Sequence, residues 1–558
     1  MPSFAVDDGF AYAVPDGMTL AVGSVVRVPL GGRRVRGWVV GGERERPGLR
    51  SVLSTSGNLP VFGVDTLEVL RWAAAHYVAP LAAVLSKTSP PNVARGVGTI
   101  PQVRRGDASS RRLVVAPLPW TEVIAAEAEG FLLSGRSVMV VCATVVEAEA
   151  LATSLGAALG MPITAVSSGT PAAEITRRWV EAATRPGTLL IGTREVVFWP
   201  VAALGLVVLA DEGRRGMKDR ATPTVHARDL VLKRAEAEGF ATTMLALVPS
   251  AEAVLRATDV VETARPWGLV EVVDRSVEAP GKSLFSEMAA AALRASGDRR
   301  VLVFTHRRTV AQRCVRCRLL RACPACGAAP GESEVCPRCS TPVPSCTGCG
   351  GRRFESLGAG LPRVLSETAR IVPRDEVGPV DSGRRVVVGS ERDLPGLEVD
   401  LTIVVDGDGP VMAPHYRATE DGLRLLGRAA AAAGRGPGRR ALVQTSNPSH
   451  SVMRALVAGA PVPVVRSDAG VRSALGFPPA GEVIALEATG LEAAMAGGLG
   501  RLLGGRASVH GPAPAGEGLR WLIQGPDLAQ ARAVLRRIVG QWREAGVRVR
   551  IDADPTDL

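Results

Sequence analysis

Short apolar runs alternate with amphipathic segments between residues 113 and 265. Four runs have the length of buried strands: SVMVVCA (137–143), TLLIG (188–192), GLVVLA (205–210) and TMLALV (243–248). Apolar positions three or four residues apart predict helices at 121–134, 145–156, 170–184 and 225–238. Strands that alternate with helices favour an open, mostly parallel sheet with helices on both faces. We therefore expect an α/β lobe over 113–265.

The alternation begins again near residue 300 and predicts a second α/β lobe over 266–462. Its strand candidates are RVLVF (300–304), RVVVG (385–389), LTIVV (401–405) and ALVQT (441–445). A cysteine-rich segment, 314–349, interrupts the pattern after the first of these runs. We therefore expect two lobes in tandem, with an insertion in the second.

Shorter units flank the two predicted lobes. Within residues 1–97, SVVRVPLGG followed by RRVRGWVVGG predicts a β-hairpin, and 64–86 predicts a helical region interrupted at Pro80. Residues 98–112 are polar and rich in turn-forming residues, which is typical of a linker. Residues 463–558 are expected to form a last α+β domain.

Length and composition agree with a multidomain globular protein of about three to five domains. No apolar run reaches the ~18 residues of a membrane span, and MPSFAVDDGFAY lacks the basic start of a signal peptide. We therefore expect a cytoplasmic protein. The formal net charge of +11 suits binding to an anionic polymer. A bias toward arginine gives the same charge, because the only lysines are Lys87, Lys218, Lys233 and Lys282.

Eight of the nine cysteines form four CxxC pairs: Cys314/Cys317, Cys323/Cys326, Cys336/Cys339 and Cys346/Cys349. In a cytoplasmic chain this spacing indicates metal ligands and not disulfides, and two pairs complete one tetrahedral zinc site. The ninth cysteine, Cys142, lies in the apolar run VMVVCAT and is expected to be a small buried residue.

Four CxxC turns predict two structural zinc ions per chain. We expect an interleaved order, in which the outer pairs hold one zinc (Cys314, Cys317, Cys346, Cys349) and the middle pairs the other (Cys323, Cys326, Cys336, Cys339). A sequential order and an iron–sulfur cluster are the alternatives. Catalytic zinc is not expected, since four cysteines leave no open position for water.

Two α/β lobes with a four-CxxC insertion in the second resemble the PriA replication-restart helicases, also called primosomal protein N′. Similar segments occur in order along nearly the whole chain: GFAYAVPDGM, VGSVVRVPLGGRRVRGWVVGG, IGTREVVFWP, VHARDLVLKRA, PHYRATED, QTSNPSH, GPAPA and IDADP. The resemblance implies two tandem RecA-like helicase lobes, an eight-cysteine zinc module in the second, an N-terminal β-rich DNA-binding domain and a C-terminal α+β domain. Only the linker 98–112 stands where the family has a winged helix, so we expect that domain to be absent.

The resemblance also implies a site for a DNA 3′ end in the N-terminal domain. Phe10 would stack on a terminal base, Gly37 would permit close backbone approach and Arg50 would contact phosphate. Core packing is the alternative role for Phe10. Ala11 stands where the family has an acidic residue, which weakens the expected selectivity for a 3′ end. Further candidate phosphate contacts are Arg33/Arg34, Arg111/Arg112, Arg352/Arg353 and Arg384/Arg385.

The phosphate loop that the resemblance implies is degenerate. In the family this loop ends in GKT-E-V, and the matching segment here is VVAPLPWTEV (114–123). Pro117 and Pro119 replace backbone donors, Trp120 stands in place of the lysine, and Thr121 remains. A threonine alone does not hold Mg²⁺ and a triphosphate.

The other motor motifs are degenerate as well. After the strand GLVVL the family has Asp-Glu-Glu-His, and this chain has Ala210, Asp211, Glu212 and Gly213. We interpret Asp211 and Glu212 as a solvated strand end. Val248 replaces the threonine of a coupling motif, and in the arginine-finger segment Ala432 replaces the first arginine while Arg435 remains. The transition state of phosphoryl transfer would lack its charge partners, so we predict no catalytic residues and no use of ATP or Mg²⁺.

The resemblance implies a protein that recognises stalled forks and recombination intermediates such as D-loops. Its expected partners are forked DNA with single-stranded regions, primosome proteins, the replicative helicase or its loader, and single-strand-binding protein. We expect a monomer that recruits these partners without a working motor. One alternative is an active ATP-dependent 3′–5′ DNA helicase with an atypical nucleotide site, and another is a zinc-ribbon scaffold that binds only proteins.

Overall fold

The computed structural model describes residues 4–7, 9–42, 47–95, 110–278, 283–307, 311–325, 327, 329–330, 333–336, 339–357, 359–491, 498–515 and 518–556. Within these residues the chain forms the predicted tandem lobes, flanked by an N-terminal β-rich unit and a C-terminal α+β unit. None of the described helices is long and apolar enough to cross a membrane.

The N-terminal unit is a small antiparallel sheet followed by two helices. The strands are β1 Val25–Leu30, β2 Arg33–Trp38 and β3 Ser54–Thr55, in the order β2-β1-β3. The helices are α1 Val64–His76 and α2 Leu81–Leu85. The predicted hairpin is present, because Val26 and Val28 alternate with solvent-facing residues and pack on the inner side of the sheet. Pro80 precedes α2, where the pattern predicted an interruption.

The first lobe is a seven-stranded sheet of order β10-β4-β9-β8-β5-β7-β6, in which all pairs are parallel. Its strands are β4 Arg111–Val115, β5 Ser137–Cys142, β6 Ala165–Val166, β7 Leu189–Gly192, β8 Leu204–Ala210, β9 Ala241–Ala246 and β10 Asp259–Glu262. Its helices are α3 Thr121–Leu133, α4 Val145–Leu159, α5 Ala172–Thr184, α6 Ala227–Glu238 and α7 Ala251–Arg256. The four predicted strands are present, since buried parallel strands are apolar along their whole length.

One boundary of the first lobe was predicted wrongly. Strand β4 begins at Arg111, inside the predicted linker 98–112. The strand was not predicted because its first two residues are arginines, and only the three residues after them are buried. Residues 96–109 lie outside the described residues, so the linker and the expected absence of a winged helix stay predictions.

The second lobe is a six-stranded parallel sheet of order β11-β18-β17-β12-β16-β15. Its strands are β11 Leu269–Asp274, β12 Val301–Phe304, β15 Val377–Pro379, β16 Val386–Gly389, β17 Leu401–Val404 and β18 Arg440–Thr445. Its helices are α8 Glu287–Arg294, α9 Leu361–Thr368, α10 Asp408–Val411, α11 Ala418–Ala431 and α12 Ser451–Ala458. A two-stranded ribbon, β13 Ala311–Cys314 with β14 Phe354–Leu357, carries the predicted insertion.

The C-terminal unit is an antiparallel sheet of order β20-β21-β19-β22, preceded by helix α13 Pro461–Ala474. Its strands are β19 Glu482–Thr489, β20 Ser508–Ala515, β21 Gly518–Gly525 and β22 Arg548–Ala553, and its helices are α14 Leu499–Leu503 and α15 Ala529–Glu544. Lys218 of the first lobe donates to the carbonyls of Ala553 and Asp554 at 2.6 and 2.7 Å. Phe4 lies under the guanidinium groups of Arg536 and Arg543 on α15. The two ends of the chain therefore pack on the lobes and on each other.

Candidate metal centre, nucleotide cleft and DNA-binding surface

The outer cysteine pairs form one four-thiol cluster. The Sγ atoms of Cys314, Cys317, Cys346 and Cys349 all lie within 4.8 Å of one another. Two of the separations, Cys314–Cys349 and Cys317–Cys346, are 3.5 Å, close to the edge of about 3.8 Å that a tetrahedron with Zn–S bonds of ~2.3 Å requires. The turns are tight, with Gly350 in the left-handed region at φ 68°. The donor set therefore fits a structural zinc ion.

The middle pairs form a second cluster. The Sγ atoms of Cys323, Cys336 and Cys339 lie within 4.8 Å of one another, and Cys326 lies outside the described residues. The structure thus groups the cysteines in the interleaved order and not in the sequential one. The presence of zinc, and the number of two ions, stay predictions.

The segment that replaces the phosphate loop closes on itself. Trp120 precedes α3, is only 8% exposed, and its indole Nε1 donates to the carbonyl oxygen of Ala116 at 3.0 Å. Pro117 and Pro119 have no N–H to offer a phosphate. The hydroxyl of Thr121 lies 2.9 Å from that of Ser154 on α4. The loop therefore presents a buried indole and two prolines where phosphate binding needs open backbone donors.

The interpretation of Asp211 and Glu212 as a solvated strand end is wrong. Their exposed fractions are 2% and 0%. Asp211 accepts from Arg428 of the second lobe at 2.5 Å, and Glu212 pairs with Arg228 at 3.0 Å. The Ser250 amide also donates to Glu212 at 2.8 Å. Protein groups engage both oxygens of Glu212 and Oδ2 of Asp211, where a metal ion would need free carboxylate oxygens, while Oδ1 of Asp211 is buried without a hydrogen-bond partner among the described residues.

The three remaining positions of the degenerate motor motifs are Val248, Ala432 and Arg435. Val248 is buried, and Ala432 is buried directly after α11. Arg435 is exposed in the loop that follows α11. The arginine that reaches the strand end is Arg428, which the sequence did not single out. Its position four residues after Arg424 on α11 was the available signal, since such residues share one helix face.

Phe10 lies on the surface, with 56% of the residue exposed. The alternative of core packing is therefore wrong. Arg50 is exposed as well, and its carbonyl accepts from the Ala13 amide at 2.9 Å, which ties it to the segment of Phe10. Gly37 lies in β2 opposite Val26, and a Cβ there would make only ordinary contact at 3.8 Å. The structure therefore leaves Phe10 and Arg50 available to a ligand and gives no packing reason for glycine at 37.

An arginine stripe, Arg27, Arg34 and Arg36, follows one face of the β1–β2 hairpin. Arg27 and Arg36 are direct cross-strand partners, and all three are exposed. Partial desolvation, and then the charge of Arg27, lower the pKa of Arg36. No carboxylate pairs with the three in the part of the chain that the structure describes. Like charges directly opposite each other destabilise a hairpin, so an anionic ligand would stabilise this one.

Two other arginine pairs are less available. Arg112 is paired with Glu127 at 2.5 Å, and Arg385 is paired with Glu376. Arg352 and Arg353 are exposed beside the cysteine clusters. The hairpin stripe is therefore the better candidate for phosphate contacts.

Comparison with known proteins identifies the two ends of the chain. Residues 1–90 match the family model of the PriA 3′ DNA-binding domain, and residues 473–556 match that of the primosomal protein N C-terminal domain. The replication restart protein PriA of Synechocystis is 26% identical over 500 residues, or 76% of this chain. The PriA of Treponema pallidum is 22% identical over 648 residues, with 99% of this chain and 98% of that protein covered. Both domain models and these relatives support the PriA family for this chain.

The family that the sequence resembles is thus confirmed, as are the tandem lobes with their cysteine insertion. The match to the PriA of Synechocystis spans 59% of that protein, so this chain covers less than two thirds of it. Among solved structures, RecG bound to a three-way DNA junction has a TM-score of 0.39 and 10% identity, covering 65% of this chain and 44% of that one. A likeness at that level carries no argument about function.

Proposed function

We propose that this PriA-family chain recognises stalled replication forks and D-loops and recruits primosome proteins to reload the replicative helicase. It performs both steps as a binding protein, without ATP hydrolysis. The proposal depends on one observation above all: an exposed aromatic ring, Phe10, in a domain that matches a 3′ DNA-binding model.

Phe10 and the arginine stripe suit the two parts of a DNA end. An exposed ring offers a stacking surface for the terminal base, whatever its sequence. The stripe runs along β2 away from Trp38, over which Arg36 lies at 5.8 Å. Guanidinium groups without carboxylate partners among the described residues are suited to the phosphate backbone. Arg50, whose carbonyl oxygen accepts from the Ala13 amide, supplies a further positive charge in the same unit.

The nucleotide cleft supports the absence of a motor. Hydrolysis needs a cradle of backbone donors, a lysine and a metal ion on the transferring phosphate. Here Trp120 fills the loop, and Asp211 is bound to Arg428. In this proposal no residue of the cleft acts as a catalyst. Neither ATP nor Mg²⁺ is part of the proposed function.

The cysteine module would hold two structural zinc ions and act as a rigid platform on the second lobe. Its surface exposes Val315, Leu319 and Leu320, each close to half exposed. The proposed partners are primosome proteins, the replicative helicase or its loader, and single-strand-binding protein. We propose that the chain acts as a monomer in the cytoplasm.

Phe10→Ala should weaken binding to a fork with a leading-strand 3′ end at the junction by about 5- to 150-fold, which is the loss of one stacked base. It should leave binding to a fork without a leading strand nearly unchanged. Fluorescence anisotropy with labelled forks measures both affinities.

The double variant Arg27→Ala/Arg36→Ala is the matched contrast. It should weaken binding to both forks equally and reduce the slope of log affinity against log salt by about 2, since each phosphate contact contributes about 0.9. An equal loss on both forks in Phe10→Ala would refute the 3′-end role. A wild-type protein that binds neither fork would favour the scaffold alternative, in which only proteins are bound.

A further inference from the structure

Helix α11 of the second lobe lies against the first lobe and presents one charged stripe to it. The stripe is Arg417, Glu420, Arg424 and Arg428, and Arg417 directly precedes the helix. Spacings of three, four and four residues place these side chains on one face. All four are buried. We call this stripe, with its contacts to the first lobe, the interlobe clamp.

Arg428 binds the end of β8 and the first turn of α4 in the first lobe. Its Nη1 lies 2.5 Å from Oδ2 of Asp211, and its Nη2 lies 2.6 Å from Oε1 of Glu147. Glu147 also accepts from Arg214, which approaches Glu391 of the second lobe at 3.6 Å. Burial alone would raise the pKa of Glu147, but Arg214 and then Arg428 hold this pKa below its ordinary value. The Glu147 carboxylate is therefore charged at neutral pH, and both Glu147 and Asp211 pair with Arg428 across the cleft.

The guanidinium group of Arg424 occupies space that the glycine at position 213 leaves open. It donates from Nε to the carbonyl of Val248 at 3.2 Å and from Nη2 to that of Pro249 at 3.4 Å. A Cβ on Gly213 would lie 2.4 Å from Nη2 of Arg424, so any larger residue at 213 would displace the guanidinium group. Gly213 stands where the resemblance expects a histidine. Gly213, which departs from the metal-binding motif of the family, thus leaves room for Arg424 to contact the first lobe.

The N-terminal half of α11 binds α7 of the first lobe. Arg417 donates two hydrogen bonds to Glu252, one from Nη2 to Oε1 at 2.5 Å and one from Nη1 to Oε2 at 3.0 Å. Glu420 accepts from the backbone amide of Ala251 at 3.0 Å. Arg472 of α13 supports Glu420 from behind at 2.6 Å. The contacts therefore extend along the whole helix.

Apolar packing accompanies the ion pairs. Helix α13 packs against α7, and one continuous cluster of buried side chains contains Leu247 and Val254 of the first lobe with Leu423 and Val465 from beyond it. Burial of such side chains supplies most of the stabilising free energy. Buried ion pairs contribute little net energy but fix one geometry. The cleft is thus held by apolar contact and set in register by charge.

We propose that the interlobe clamp holds the two lobes permanently closed without nucleotide, so that they move as one rigid body. In an active motor, nucleotide binding changes how the two domains are positioned relative to each other, and contacts to the ligand stabilise the closed arrangement. In this chain arginines of the second lobe make the contacts to the first lobe directly. The clamp involves the lobes alone and joins them whether or not the chain binds forks.

Single-molecule energy transfer between the lobes tests the clamp. Dyes are attached through bioorthogonal side chains at the exposed positions Arg185 and Arg392, which avoids the cysteine module. The wild-type protein should show one narrow distance that Mg–ATP at millimolar concentration does not change. The variant Arg424→Met/Arg428→Met should add a second, longer distance in at least a tenth of the molecules.

Two further variants make the test decisive. Arg440→Met removes an ion pair to Glu271 that lies within the second lobe at 2.9 Å, and it should behave as wild type. Asp211→Asn/Arg428→Met removes both charges of one contact, and it decides the result if the double-arginine variant fails to fold by circular dichroism. Two interconverting distances in the wild-type protein, or a shift with Mg–ATP, would overturn the proposal. So would folded clamp variants with the wild-type distribution.

Discussion

Replacing Arg417 by alanine should destabilise the chain by about 3–5 kcal/mol, which is the effect of removing one partner from a buried ion pair. Glu252 is only 3% exposed and depends on Arg417 for two hydrogen bonds. Burial alone would raise the pKa of Glu252, but Arg417 and then Arg228 hold this pKa well below its ordinary value. Without Arg417, the nearest arginine, Arg228, lies 3.7 Å away.

Urea unfolding followed by tryptophan fluorescence measures this loss. Arg440→Ala is the matched control, because its pair with Glu271 is partly exposed and should contribute no more than about 1 kcal/mol. The double variant Arg417→Ala/Glu252→Gln should recover part of the stability, since the unpaired charge is gone. A loss in Arg417→Ala as small as in the control would contradict the role of this pair in joining the lobes.

The second large effect is expected at the cysteine clusters. Structural zinc contributes about 10–16 kcal/mol of apparent binding free energy at pH 7, so one lost ion should unfold its part of the module. The variant Cys314→Ser/Cys346→Ser should lose one of two zinc ions, because both thiols belong to the same cluster. Under a sequential order the two residues would belong to different sites, and both ions would be lost.

The matched contrast is Cys314→Ser/Cys323→Ser, which removes one thiol from each cluster. It should lose both ions in the interleaved order and one in the sequential order. Cys142→Ala should keep both, since Cys142 is buried in β5 of the first lobe. Elemental analysis of the purified variants measures the zinc content. Iron in place of zinc, or fewer than two zinc ions in the wild-type protein, would contradict the account of the module.

The sequence predicted the strands that lie in the middle of the two sheets. These strands are apolar along their length because helices cover both faces, and β5 and β8 are examples. Strand β4 was missed because Arg111 and Arg112 open it. The cysteine clusters were predictable because CxxC spacing itself positions two thiols.

The charged contacts of the cleft were not predictable in the same way. Asp211 and Arg428 are 217 residues apart in sequence, and neither side chain marks its partner. A helix that carries several arginines is ordinarily solvated on that face, as α11 would be without the first lobe. The exposure of Phe10 was equally undetermined, because an aromatic ring beside a hairpin is suited to packing as well as to stacking. Both the cleft ion pairs and the exposure of Phe10 depend on tertiary contacts that the local sequence does not contain.

The most direct test of the whole account is ATP hydrolysis on a fork with a leading-strand 3′ end at the junction. The protein should first be shown to contain two zinc ions and to bind that fork. No turnover above background is expected, because Trp120 closes the phosphate loop and Arg428 is paired with Asp211. Fork-stimulated turnover that Trp120→Ala alters would contradict it and would establish an active helicase with an atypical nucleotide site.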